Sequence, residues 1–175
     1  MKEVNFSEIK SVKDEPKIEK SDRTQEDAES RRIRELRYPC QDLEGKKHPE
    51  TGVPYERKEI TLPDGTRMER VFPVFESLYE GDLPPDLHKE SDAKQFKHMN
   101  EQLRKDIESD PELRSKFTEK QLDQIRNGDK PEGCTWHHAE DPPGRMELVE
   151  TEKHQGSGHT GGGTIWGGRE SEGKS

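Results

Sequence analysis

"CTWHHAEDPPGRM", residues 134–146, runs on through "ELVETEKHQGSGHT", residues 147–160, and these residues decide the fold. Trp136, His137 and His138 stand side by side just before a turn, Glu140 to Gly144, that no regular element could cross, because it holds Pro142-Pro143-Gly144. A strand-like run follows, Met146-Glu147-Leu148-Val149. After it comes a polar segment able to form a helix, Glu150 to Gln155, ended by glycines. The order is strand, loop, strand, helix. Of the chain's seven histidines, His137, His138, His154 and His159 fall within this one segment, whereas His48, His88 and His98 are scattered and read as surface or structural residues.

Imidazole is neutral near pH 7 and can either ligate a metal or accept a proton. Metal-assisted hydrolysis of a phosphodiester needs both services. A divalent ion neutralises charge on the phosphoryl and leaving oxygens, and a base takes a proton from water. Adjacent strand residues point to opposite faces, so His137 and His138 can serve one site only if the strand ends there or is distorted. The prolines at 142 and 143 make such an ending expected. His154 and His159, near a helix C-terminus, could complete a set of ligands, and three protein ligands leave a position open for phosphate or water. The expected cofactor is one divalent metal ion, with Zn, Mg, Mn and Ni all compatible.

Outward from this segment, the composition sets bounds. The chain has 175 residues, 24% hydrophobic and 39% charged, with a formal net charge of -9. A typical globular domain is roughly half apolar, so part of this chain is expected to be unstructured. No apolar run approaches the roughly 20 residues of a membrane helix. The opening MKEVNFSEIKSVKDEPKIEK lacks the apolar core of a signal peptide. Cys40 and Cys134 are too few for a disulfide framework, and neither sits in a CxxC pair. Residues 1–38 read as a charged, disordered leader or linker with local helix near Arg31 to Arg37, and residues 171–175 as a tail. Between them lies one domain, 39–170.

Within that domain, alternating runs at Glu59 to Leu62 and Arg67 to Val71 flank Pro63-Asp64-Gly65, a hairpin signal. "GDLPPDLHKES" is a proline-broken loop. Ser91 caps a helix in which Phe96, Met99, Leu103 and Ile107 share one face. Asp110-Pro111 opens a short helix. Thr118 with Gln121 forms a capping box, Leu122 and Ile125 are the buried side, and Gly128 closes the helix. The fold class expected is α+β: a helical and β-hairpin scaffold carrying a C-terminal strand-strand-helix motif at about 134–162.

"TWHH", "GRMELV" and "H-x4-HTGG" followed by "TIWGG" closely resemble the HNH/endonuclease VII superfamily of ββα-metal nucleases. The branch is the one named for its Trp-His-His motif, which occurs widely as toxin domains of bacterial polymorphic and contact-dependent effectors. The resemblance extends back through "KHPETGVPY" and "FPVF" and covers roughly Tyr38 to Arg169. It implies that His137 is the first metal ligand and His138 the general base, with His154 and His159 completing the metal shell. Arg145 stands where the motif's middle Asn would fall, a departure that implies another use, either holding the loop or clamping a phosphate bidentately. The activity implied is metal-dependent endonucleolytic hydrolysis of nucleic acid, DNA rather than RNA. The implied biology is a bacterial toxin of interbacterial competition, made in the cytoplasm, delivered into a target cell by a secretion system, and neutralised by an immunity protein.

Other readings compete for the same residues. A structural zinc site could use Cys134 with His137, but no second cysteine lies downstream. Trp136 and Trp166 suit packing better than base stacking. The Gly-rich C-terminus lacks P-loop spacing, and HExxH is absent. Acidity opposes nonspecific phosphate attraction, leaving Lys130, Arg145, Lys153 and Arg169 as the local cations. The alternatives to a DNase are an RNase, or a noncatalytic metal-stabilised binding module on the same fold.

Overall fold

Pairing across the 134–150 segment organises the molecule. The computed structural model describes residues 18–169. Residues 1–17 of the expected leader and the expected tail at 171–175 lie outside the described residues. Strands β4 (Cys134–His138) and β5 (Arg145–Glu150) pair antiparallel, with His137 opposite Glu147 and His138 opposite Met146. Helix α5 (Thr151–Gly156) follows at once. The strand, loop, strand, helix order is therefore present, within an α+β architecture.

A third strand, β3 (Ser77–Asp82), pairs with the outer side of β5 to give the order β3-β5-β4. Sequence reading leaves residues 77–80 unassigned and puts Gly81 and Asp82 in the proline-broken loop, because SLYEGD has only Leu78 and Tyr79 to mark a strand and the prolines follow closely; the strand in fact continues through Asp82. The expected hairpin forms as β1 (Tyr55–Thr61) and β2 (Arg67–Pro73). Gly65 takes φ 86° at its turn, where a side chain would be strained.

One face of the three-stranded sheet packs on helices α2 (Asp92–Ser109), α3 (Pro111–Ser115) and α4 (Glu119–Arg126). Their caps form as the sequence indicates: Ser91 accepts from Lys94 N–H, Asp110 from Leu113 N–H, and Thr118 and Gln121 bond reciprocally. Met99, Leu103, Ile107, Leu122 and Ile125 meet Trp136, Met146 and Leu148 in the main core. On α2 the stripe differs in one place: Gln95 is fully buried, while Phe96 is only partly so.

The expected boundary near Tyr38 falls inside packed structure. Helix α1 spans Ile18–Glu35, and Ile33 is a member of the main core. Ser30 Oγ accepts the Asp64 N–H of the hairpin turn at 3.0 Å. The Arg32 guanidinium donates to the carbonyls of Thr164 and Ile165 at the end of helix α6 (Gly162–Ile165). Among the described side chains, buried Ile33 and a few polar bonds anchor this helix, and neither stands out in a sequence dominated by charge.

Candidate metal centre

His137 lies on the face of β4 that turns away from the main core, toward α5 and the loop after it. There His137 Nδ1 and His154 Nε2 face each other at 3.1 Å. The rings of His137, His154 and His159 stand with centroids 4.9–5.0 Å apart. One ring nitrogen from each converges, all within 4.8 Å of one another, a group able to hold a metal ion. The three histidines expected as ligands are thus brought together.

The surroundings fix which nitrogen of His159 is free. His159 Nδ1–H donates to the Ser157 carbonyl at 2.7 Å, which leaves Nε2 as its lone-pair nitrogen. Ser157 is itself held through Oγ to Thr51 Oγ at 2.7 Å, and Tyr55 OH donates to the neighbouring Gly158 carbonyl. Glu140 Oε2 lies 3.9 Å from His137 Nε2, and in the 3.1 Å hydrogen bond between His137 Nδ1 and His154 Nε2 one of the two rings donates. Glu140 is buried and ion-paired with Lys58 Nζ at 2.7 Å. Phe75 packs its ring against all three imidazoles at 4.9–5.4 Å, in a small cluster with Val53 and Val149.

Burial keeps these imidazoles neutral. It holds His137 well below the ordinary range, aided by the neighbouring His159 and His154 rings. Burial and His159 set His154 to about 4. His159 is lowered by burial, against the opposing Ser157 bond. Three neutral nitrogen donors in one largely buried cluster match the donor chemistry of a transition-type divalent cation. The residues fit the group.

His138 is not in this cluster. Strand β4 runs regularly through it, so its side chain emerges on the opposite face, where Nε2 lies 2.7 Å from Gln95 Oε1 on α2. Arg169 Nη2 is 3.3 Å and Asp92 Oδ1 3.5 Å from the same nitrogen, and Phe96 and Trp166 flank the ring. Burial, with the Arg169 charge beside it, sets His138 to about 4. The turn expected to end the strand begins only after His138, so the pair divides across the sheet.

Arg145 is spoken for as well. Its Nε donates to Asp82 Oδ1 at 2.8 Å and its Nη1 to Glu80 Oε2 at 3.2 Å, both on β3. The side chain ties β5 to β3 and does not reach the 139–144 loop in this arrangement. Lys153 and Arg169 likewise face carboxylates, Glu150 and Asp92. Cys134 is buried with Trp136 in the main core, on the face opposite His137, which removes the zinc reading that joined them. Both tryptophans are packing residues: Trp136 Nε1–H donates to Asn100 Oδ1 and Trp166 Nε1–H to the Ala139 carbonyl. Gly162 lies so close to that carbonyl and to the Trp166 ring that a methyl group there would overlap both.

Sequence reasoning missed Phe75, Gln95, Ser157 and Lys58, while Glu140, the partner of Lys58, reads equally as a turn residue or a participant in catalysis. Of these only Phe75 carried a signal, inside "FPVF". No described helix is long and apolar enough to cross a membrane. Comparison with curated proteins and with solved structures gave no match. Residues 65–161, more than half of the chain, match the family described as the DNase/tRNase domain of colicin-like bacteriocin. With its histidine cluster inside the matched stretch, this chain belongs to that family of nuclease toxin domains.

Proposed function

We propose that the chain is a metal-dependent endonuclease of the HNH type that hydrolyses phosphodiester bonds in DNA. The observation that carries this reading is the convergence of three neutral imidazole nitrogens, one from the β4 end and two from the helix-loop after β5. His137 Nδ1, His154 Nε2 and His159 Nε2 would hold the ion. When bound, a divalent cation supplies neutralisation of charge on the phosphoryl and departing oxygens.

The chain's residues supply the rest. Ser157 orients His159, and Glu140 with Lys58 orients His137. His138, neutral and fixed by α2, takes the proton of the attacking water at its free ring nitrogen. Arg169 and Arg145 become phosphate contacts by exchanging a carboxylate partner for a phosphodiester. Both guanidiniums are paired in the free protein, so this exchange makes substrate binding weak and salt-sensitive.

A cell that makes a DNase exposes its own genome to it, which supports a neutralising immunity protein as partner. The colicin-like family supports delivery into a competitor's cytoplasm as the route of action. The family's description spans DNase and tRNase, so the test carries both substrates. Purified protein is incubated with supercoiled plasmid and with tRNA, each with Mg²⁺, Mn²⁺, Ni²⁺ or Zn²⁺ and with EDTA. Plasmid nicking that EDTA abolishes is expected. Cleavage of tRNA alone makes the protein an RNase, and cleavage of neither leaves a metal-stabilised binding module.

A further inference from the structure

His138 has two ring nitrogens, and the residues around it decide which one carries hydrogen. Gln95 is the arbiter. Its Nε2 donates to two backbone carbonyls, Leu87 at 2.8 Å and His88 at 3.0 Å. Turning the amide over would set its oxygen against both carbonyls and its NH₂ against the Arg169 guanidinium. The orientation is therefore fixed, and Oε1 faces His138 Nε2 at 2.7 Å.

Two bare acceptors cannot sit that close without repulsion, so His138 Nε2 must donate. One contact opposes this: Arg169 Nη2, which can only donate, lies 3.3 Å from the same nitrogen, but it is longer and weaker than the 2.7 Å contact with Gln95, and its hydrogens have other acceptors. Arg169 Nη2 has two hydrogens, and its two acceptors are Gln95 Oε1 at 3.0 Å and Asp92 Oδ1. Gln95 Oε1 has two lone pairs, and its two donors are His138 and Arg169. Asp92 Oδ1, 3.5 Å from His138 Nε2, is an anion that also favours hydrogen there. Every donor and acceptor of the network is used only when His138 is the Nε2–H tautomer. Gln95 is fully buried, so no water competes for its place.

We propose that Gln95 is a positioning residue: it holds His138 in the Nε2–H tautomer and thereby makes Nδ1 the nitrogen that accepts a proton. The catalytic half of this rests on His138 acting as the base; the tautomer does not. A glutamine at this place fixes ring orientation without adding charge beside the ring, as a carboxylate orienter would.

The test uses Zn²⁺-loaded full-length protein labelled with ¹⁵N at the histidine rings, assigned with His138→Ala, and reads the tautomer by long-range ring correlations. Wild type is expected to show a single His138 form with hydrogen on Nε2. Gln95→Glu keeps an acceptor toward His138 and should keep that form. Gln95→Met removes the acceptor and should give a mixture, with kcat on plasmid lowered about 10-fold and KM within about 2-fold, the scale of one hydrogen bond. Zn²⁺ stoichiometry should stay at the wild-type value in both variants.

A wild-type His138 with hydrogen on Nδ1 overturns the proposal, as does a Gln95→Met protein with an unchanged tautomer and unchanged kcat. Should Gln95→Met fail to fold, the wild-type and Gln95→Glu spectra still decide. An Nε2–H wild type together with a fully active His138→Ala variant would overturn the base assignment and leave the tautomer standing.

Discussion

Acidifying the metal-free protein tests the imidazole cluster without any substrate. Burial sets His138 and His154 each to about 4 and lowers His137 and His159 as well. An imidazole lowered below its unfolded value of about 6.5 binds fewer protons in the native state than in the unfolded one. Its contribution is complete above about pH 6.5 and is lost as pH falls toward 4. For largely buried His138, the interval from 6.5 to about 4 corresponds to roughly 3 kcal/mol. Glu147 works in the opposite sense. Burial, then Glu140 and Glu80, push it up to about 7, so its contribution is present at low pH and lost as pH rises through 7. Its carboxyl is partly exposed, which reduces its weight against four imidazoles. The net expectation is a loss of several kcal/mol between pH 7 and 4.5, a large share of the roughly 5–15 kcal/mol that holds a small domain. Urea unfolding in EDTA at half-unit pH steps measures it, and Glu147→Gln should steepen the slope by removing the opposing group. A midpoint unchanged from pH 7 to 5 would refute the neutral, desolvated cluster.

Three further outcomes are expected. His137→Ala, His154→Ala and His159→Ala should each weaken Zn²⁺ binding in titration calorimetry, because two imidazoles cannot close the site; wild-type affinity in the His154 variant would remove that residue from the shell. His138→Ala should keep its metal while cleaving plasmid about 10²–10⁴-fold more slowly; loss of metal along with activity would make His138 a ligand instead. Ile33→Ala should cost about 2–5 kcal/mol by chemical denaturation, since the side chain is buried in the main core, and a change under about 0.5 kcal/mol would show α1 to be peripheral.

The candidate site was more legible than the frame that carries it. Proline 142 and 143, the short apolar run at 146–149 and the glycines after 155 set the order of strand, loop, strand and helix, and all are local signals. Helix caps at Ser91, Asp110 and Thr118 were legible for the same reason, because each is a bond between residues three apart. What failed was long-range. Strand β3 exists because β5 offers it a free edge, and nothing within SLYEGD announces that partner. Helix α1 is tied down by Ser30, Arg32 and Ile33, whose partners lie in the hairpin turn, in α6 and in the core. Gln95 looked like one more polar residue on an amphipathic helix. Its importance comes from the Leu87 and His88 carbonyls and the His138 ring, which only the fold brings to it.

The adjacency of Trp136, His137 and His138 follows from strand geometry. Successive side chains on β4 alternate faces, so Trp136 and His138 share one side and His137 takes the other. Trp136 anchors the strand against Tyr79 and Asn100 in the main core. His138, two residues on, is thereby set against α2 and α6, between Gln95, Phe96 and Trp166. His137, between them, is left to α5 and the loop after it, where His154 and His159 stand with Phe75 behind all three rings. A sheet one residue thick thus separates a nitrogen cluster fit for a metal from an imidazole fixed by hydrogen bonds. The two can act on one phosphodiester only around the end of β4, where the chain turns at Ala139 and Glu140 and the sheet stops. Gly162 closes against the Ala139 carbonyl at that same end. Any side chain at 162 would overlap the Ala139 carbonyl and the Trp166 ring, so α6 and Trp166 would have to move away from His138.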